Sequence, residues 1–144
     1  FPDTAFVYPV HPNPHVRETT SELLSNTQNI HLTEPAAYPE FVWLMDQSYI
    51  IITDSGGVQE EAPTLGKPVL VTRDTTERPE AVTAGAAKLI GTSPQFLLKE
   101  ATLLLSSENE YRNRQVQANP YGDGQASTRI LDLIRNLEQK RIAA

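Results

Sequence analysis

Tyr49-Ile50-Ile51-Ile52-Thr53, followed at once by Asp54-Ser55-Gly56-Gly57-Val58-Gln59-Glu60-Glu61, is the stretch whose reading decides the fold of this chain. An unbroken apolar run of that length reads as a parallel strand buried on both faces. The two glycines then turn the chain tightly into a helix. A turn of this kind aims unpaired backbone N–H groups and the positive end of a helix dipole at one spot, and glycine lets an anion come close to that backbone. The same glycines also suit an ordinary strand-to-helix turn in which they serve geometry alone. Glu60 and Glu61 favour the phosphate cradle. A carboxylate one or two turns into the helix accepts both hydroxyls of a ribose, so one short segment would hold a nucleoside diphosphate at its sugar and its phosphates.

Working outward, apolar runs that read as strands fall at Ala5 to Val10, Asn29 to Leu32, Tyr49 to Thr53, Pro68 to Thr72 and, less clearly, Ala87 to Ile90. Helical patterns lie between them at Val16 to Leu24, Glu40 to Met45 and Val58 to Leu65. This alternation predicts an α/β fold, a Rossmann-like parallel sheet with flanking helices. The strands ending near Val10, Thr53 and Thr72 are expected in one sheet, with Ser55 and Arg78 at its same edge. Pro63 predicts a kink or early end of the third helix, and Gly66 its stop. After Ile90 the pattern is helical at Pro94 to Leu105, Asn109 to Gln117 and Ser127 to Leu137, the last with Ile130, Leu133, Ile134 and Leu137 on one stripe.

The 144 residues, 39% hydrophobic and 21% charged, have the composition of one globular domain. A formal charge of −6 with no basic stripe argues against nucleic acid and anionic membranes as partners. One bound diphosphate is compatible with it, since backbone dipoles and one or two arginines neutralise phosphate locally. The absence of cysteine removes disulfides and thiolate metal sites and suits a cytoplasmic protein. The chain opens at Phe1, without Met, almost directly into a strand, and is read as a piece of a longer polypeptide.

Other constellations are less specific. His11-Pro12-Asn13-Pro14-His15 follows the first strand, where open α/β sheets gather ligands. Its interleaved prolines forbid the helix that would bring both histidines to a metal, so it reads as a polar loop. Thr75-Thr76-Glu77-Arg78-Pro79-Glu80 follows the fourth strand, and Arg78 offers a fork of donors to phosphate, or an ion pair to Glu77 or Glu80. Phe41, Trp43, Leu44 and Met45 read as a core stripe, from which one aromatic could reach a base. Asn119-Pro120-Tyr121-Gly122-Asp123-Gly124 reads as a tight connector. No nucleophile triad or Cys/His arrangement emerges, so the residues suggest binding without chemistry.

The segments Phe41 to Met45, Asp54 to Glu61, Gly66 to Leu70 and Arg73 to Glu80, with the Asn-Pro-Tyr-Gly-Asp-Gly and His-Pro-Asn-Pro loops in the same order, resemble the non-hydrolysing UDP-N-acetylglucosamine 2-epimerases. The resemblance covers essentially the whole chain, but only part of that family's C-terminal domain. It implies two Rossmann-like domains in the GT-B arrangement, with the nucleotide sugar between them. It further implies interconversion of UDP-GlcNAc and UDP-ManNAc, by elimination of UDP to 2-acetamidoglucal and re-addition with inverted C2, without metal or nicotinamide cofactor. Residue by residue, it assigns Ser55, Gly56 and Gly57 to the phosphates, Glu61 to the ribose, Arg78 to the diphosphate and Phe41 to the border of the uracil. His11 matches a histidine used near a second, activating UDP-GlcNAc site. Ala36 stands where relatives often carry a glutamine beside the uracil, so no side-chain contact is expected there.

The family's acidic catalytic residues and its Gly-His-Arg-Arg-Glu motif fall outside this chain, so the resemblance implies nucleotide-binding parts without catalytic ones. It also implies a parent that is a homodimer and a missing opening strand and helix. Without that strand the neighbouring sheet edges lack a partner, so the segment is expected to depend on the absent N-terminal part for stability. Two other readings share the glycine turn: part of a GT-B glycosyltransferase using a UDP-sugar, and a non-catalytic UDP-binding module.

Overall fold

A computed structural model describes residues 1–116 and 118–142. Its contacts divide the chain into two compact units, Phe1–Leu44 and Met45–Ala144.

In the first unit, strand β1 (Phe6–Pro9) leads through helix α1 (Pro14–Leu24) to strand β2 (Ile30–Thr33), which pairs parallel with it in the register Phe6↔Ile30 to Pro9↔Thr33. Asn13 caps α1 by accepting from the His15 N–H at 3.0 Å, and Pro14 takes the first helical position, where no donor is needed. The Asn29 amide donates to the carbonyls of Phe1 (2.9 Å) and Thr4 (2.7 Å), fastening the start of the chain beside β2. Helix α2 (Tyr38–Gln47) follows, and the division between the units falls within it.

The second unit holds a parallel sheet in the order β3 (Ile51–Thr53), β4 (Val69–Val71), β5 (Ala87–Leu89). Central β4 has no solvent exposure at Val69, Leu70 or Val71, which explains why its sequence is continuously apolar. Between β3 and β4 the chain forms α3 (Gly56–Glu61) and a 3₁₀ turn (Ala62–Leu65), closed by Gly66 at φ 65°. Pro63 therefore ends the α-helix as expected, and Gly66 takes the left-handed conformation that residues with a Cβ avoid.

A short helix, α4 (Pro79–Thr83), which the sequence pattern does not mark, leads into β5. Then come α5 (Pro94–Ser106), α6 (Glu108–Asn113) and α7 (Ala126–Ile142). The helix expected from Asn109 to Gln117 is shorter than its pattern: α6 ends at Asn113 with Arg114 as its C-cap, and Gln117 itself lies outside the described residues. Leu70, Ile90, Ala101 and Leu104 form the core of this unit, with Ile50, Phe96 and Leu97 packed against it. Tyr49 stacks on Tyr111 with ring centroids 4.0 Å apart.

Three expectations need correction. The strands do not form one sheet: β1 pairs only with β2, while β3, β4 and β5 make a second sheet. The physical reason is that no described strand pairs with both β1 and β3, so the ladder has no member to carry it across. Trp43 is 61% exposed and is not core, whereas Met45 is buried. The apolar stripe of α7 is present but exposed, at Ile130, Leu133, Ile134 and Leu137. No helix among the described residues is long and apolar enough to cross a membrane.

Candidate nucleotide site

The glycine turn sits where β3 ends. Ser55 takes an extended backbone (φ −78°, ψ 130°) as the N-cap of α3, and its N–H donates to the Thr53 hydroxyl at 3.0 Å. Its side chain makes no capping bond, so the hydroxyl is not spent on the helix end. α3 has only six residues, so its first N–H groups act locally and a long helix dipole is absent. Residues four apart share a helix face. Gly56 therefore aligns with Glu60, and Gly57 with Glu61.

Arg78 follows β4, the strand paired directly with β3, and this brings the two loops to one sheet edge. A methyl group built on Gly56 would lie 3.7 Å from the Arg78 guanidinium carbon and 3.1 Å from Glu77 Oε1. The expected neighbourhood of Arg78 and the glycine turn is thus present within the second unit. A Cβ at Gly56 would stand at ordinary contact distance from Arg78 and press only on the end of the Glu77 side chain, which would have to shift by a few tenths of an ångström.

Arg78 is held by acids. Its Nε donates to the Glu60 carboxylate, and its Nη1 lies 3.8 Å from Glu77 Oε1. The sequence offered Glu77 or Glu80 as partners, but the first choice is Glu60, because α3 presents Glu60 on the same face as Gly56. The hydrogen bond to Glu60 raises the guanidinium pKa above its usual value. Glu77 is held below the usual carboxylate range by a hydrogen bond from its own backbone, then by the bond from Arg73 at 2.9 Å. The result is an alternating chain of charges, Arg73, Glu77, Arg78 and Glu60, around the turn.

Two further residues, read from sequence only as parts of a connector, organise this site. The Asn119 amide donates to the Glu60 carbonyl (2.9 Å) and the Thr64 hydroxyl (2.6 Å), tying the end of α3. The Tyr121 hydroxyl donates to the Arg78 carbonyl (2.9 Å) and accepts from the Ala81 N–H (3.0 Å), fixing Arg78 at the start of α4. Burial raises the Tyr121 pKa, so this hydroxyl keeps its proton as donor. The legible signal was an amide and a phenol inside a turn-rich string, residue types that brace loops. Asn119, Tyr121 and Gly122 line an open cleft together with Glu60, Glu61 and Thr64.

The remaining candidates lie in the first unit. Phe41 is half-buried on α2, and Ala36 precedes that helix. His11 is exposed in the loop after β1, where its Nδ1 accepts from the Asn13 N–H at 3.2 Å. Among the described residues, no group of three His, Asp or Glu side chains is placed to hold a metal ion.

The family described as UDP-N-acetylglucosamine 2-epimerase matches residues 1–135. The chain belongs to this family. It is 57% identical to the UDP-N-acetylglucosamine 2-epimerase of Escherichia coli K12 over 134 residues, covering 93% of this chain and 36% of that protein. Its fold matches the Neisseria meningitidis UDP-GlcNAc 2-epimerase, solved bound to UDP-GlcNAc, with a TM-score of 0.89 and 50% identity across 94% of this chain and 37% of that one. An S. aureus protein, MnaA, solved with UDP, matches with the same TM-score of 0.89 at 46% identity, over 96% of this chain and 38% of that one. The chain therefore spans little more than a third of the length of these proteins. Its parallel sheets with flanking helices are the Rossmann-like parts of their fold.

Proposed function

We propose that this chain is the UDP-binding portion of a UDP-N-acetylglucosamine 2-epimerase, part of the C-terminal Rossmann-like domain of a GT-B enzyme. The observation that carries the reading is the placement of the Arg78 guanidinium beside the backbone of Gly56. A positioned fork of donors and a Cβ-free turn together make a two-sided clamp for a diphosphate. The solved relatives with UDP-GlcNAc or UDP support the same ligand. Ser55, Gly56 and Gly57 bind the phosphates, Arg78 binds the diphosphate, Glu61 accepts from the ribose hydroxyls and Phe41 borders the uracil. His11 belongs to a second, activating UDP-GlcNAc site.

The reaction is an elimination followed by an addition. A base removes the C2 proton, the bond from C1 to the UDP oxygen breaks, and 2-acetamidoglucal and UDP result. UDP then adds back to C1 while a proton reaches the opposite face of C2. Departing UDP gains negative charge on its terminal phosphate, and the N–H groups of the turn with Arg78 stabilise that charge as it develops. Holding UDP in place also keeps it poised to return. The groups that move the C2 proton are supplied from outside this chain.

The test is calorimetry and turnover with the full-length protein. UDP is expected to bind at least about tenfold more tightly than uridine, since most directed hydrogen bonds go to phosphate. Turnover of UDP-GlcNAc in D₂O is expected to give UDP-ManNAc carrying deuterium at C2. Equal affinity for UDP and uridine removes the phosphate cradle; absence of the epimer removes the reaction.

A further inference from the structure

Gln59 lies in α3 with no solvent exposure, one turn beyond Ser55, at a helix position that an apolar side chain would fill without polar cost. A buried amide is tolerated only when both its ends are satisfied. Here they are: Nε2 donates to the Ser55 carbonyl at 3.2 Å, and Oε1 accepts from the Thr76 hydroxyl at 2.7 Å. Having donated its proton, Thr76 Oγ1 accepts from the backbone N–H of Arg78 at 3.0 Å. The polarity of the relay is fixed at each link. Reversing the Gln59 amide would set its oxygen against the Ser55 carbonyl and its NH₂ against the Thr76 hydroxyl, leaving that hydroxyl to find another acceptor. The relay thus runs unbroken from the carbonyl that precedes Gly56 to the amide of Arg78.

We propose that Gln59 and Thr76 are positioning residues that lock Arg78 at the Gly56 turn, so that diphosphate affinity depends on a buried side-chain relay. The inference rests on the UDP-clamp reading above. The two strands bring their following loops to one edge, but strand pairing alone does not set how far apart those loops stand. Only a link between the loops does so, and this relay ties the backbone of one to the backbone of the other. Thr76 is the sensitive member, because its single hydroxyl serves both bonds.

Calorimetry with UDP and with uridine on the full-length protein tests this. Thr76→Val keeps the shape and deletes both bonds, and is expected to weaken UDP about tenfold while changing uridine less than about twofold; Thr76→Ser restores UDP affinity. Gln59→Met, which fills the same space, is expected to give the same pattern. In an Arg78→Ala background, Thr76→Val is expected to change UDP affinity less than about twofold, because the relay then has nothing to position. Unaltered UDP binding by Thr76→Val and Gln59→Met, or a tenfold loss that persists without Arg78, overturns the proposal. An Arg78→Ala protein that binds UDP normally overturns the clamp itself, and is told apart because that single variant reports on the clamp alone.

Discussion

Replacing Glu100 by Gln is expected to cost about 2–3 kcal/mol of folding stability, and the structure shows where the loss arises. Glu100 is 2% exposed on α5, and its two oxygens meet Lys88 Nζ and Arg114 Nη2, each at 2.8 Å. Glutamine keeps one acceptor and turns the other into a donor facing a cation, so one bond is lost and both cations lose their counter-charge. Breaking a buried pair costs about 3–5 kcal/mol when the charge left behind stays buried. The Lys88 side chain is 37% exposed and can turn to water, whereas Arg114 at 12% cannot readily do so, which brings the figure to the range above. The loss is a large share of a typical stability of about 5–15 kcal/mol.

The pH dependence supplies the sharper check. Burial pushes Glu100 upward, but hydrogen bonds from Lys88 and Arg114 outweigh it and hold the carboxyl below its ordinary value. A depressed folded pKa means the stabilisation is present in full above the unfolded pKa of about 4.3, and fades as pH falls through the folded value. Urea unfolding of the full-length protein at successive pH values should therefore show a steeper loss below about pH 5 in the native protein than in Glu100→Gln. Parallel pH profiles, or a cost under about 0.5 kcal/mol at pH 7, would refute the reasoning.

Glu61→Gln should weaken UDP by at least about tenfold while hardly changing binding of its 2′-deoxyribose analogue, since the charge and one acceptor for the ribose diol are lost; calorimetry with both ligands decides, and unchanged binding of both would make Glu61 a structural residue. Tyr121→Phe removes the hydroxyl that bridges the Arg78 carbonyl and the Ala81 N–H. It is expected to cost about 1–2 kcal/mol in urea unfolding and to lower UDP affinity a few-fold; an unchanged midpoint would show that water replaces the hydroxyl.

Much of this architecture is legible in sequence because its causes are local. Tyr49 to Thr53 and Pro68 to Thr72 are apolar enough to read as buried strands, and both elements appear, trimmed to Ile51–Thr53 and Val69–Val71, but only β4 is buried: β3 lies at the edge of its sheet and Ile52 is 39% exposed. Pro63 and Gly66 act through their own backbone geometry, so the helix end they mark needed no knowledge of neighbours. The glycine turn between β3 and α3 is legible for the same reason, as is the arginine placed after the next strand.

Tertiary structure decided what depends on distant partners. That β1 pairs only with β2 follows from which strands are available to it, and no property of Phe6 to Pro9 announces that. The choice of Glu60 over Glu80 for Arg78 came from the face that α3 turns toward the loop. Gln59 looks like an ordinary helix-surface amide until packing buries it against Thr76, and Asn119 reaches the Glu60 carbonyl from 59 residues along the chain. Residue type and spacing determine the turn and its donors, because those are matters of backbone conformation within a few residues. Their arrangement at one place belongs to hydrogen bonds between segments far apart in sequence, whose pairing is set only when the sheet brings those segments to a common edge.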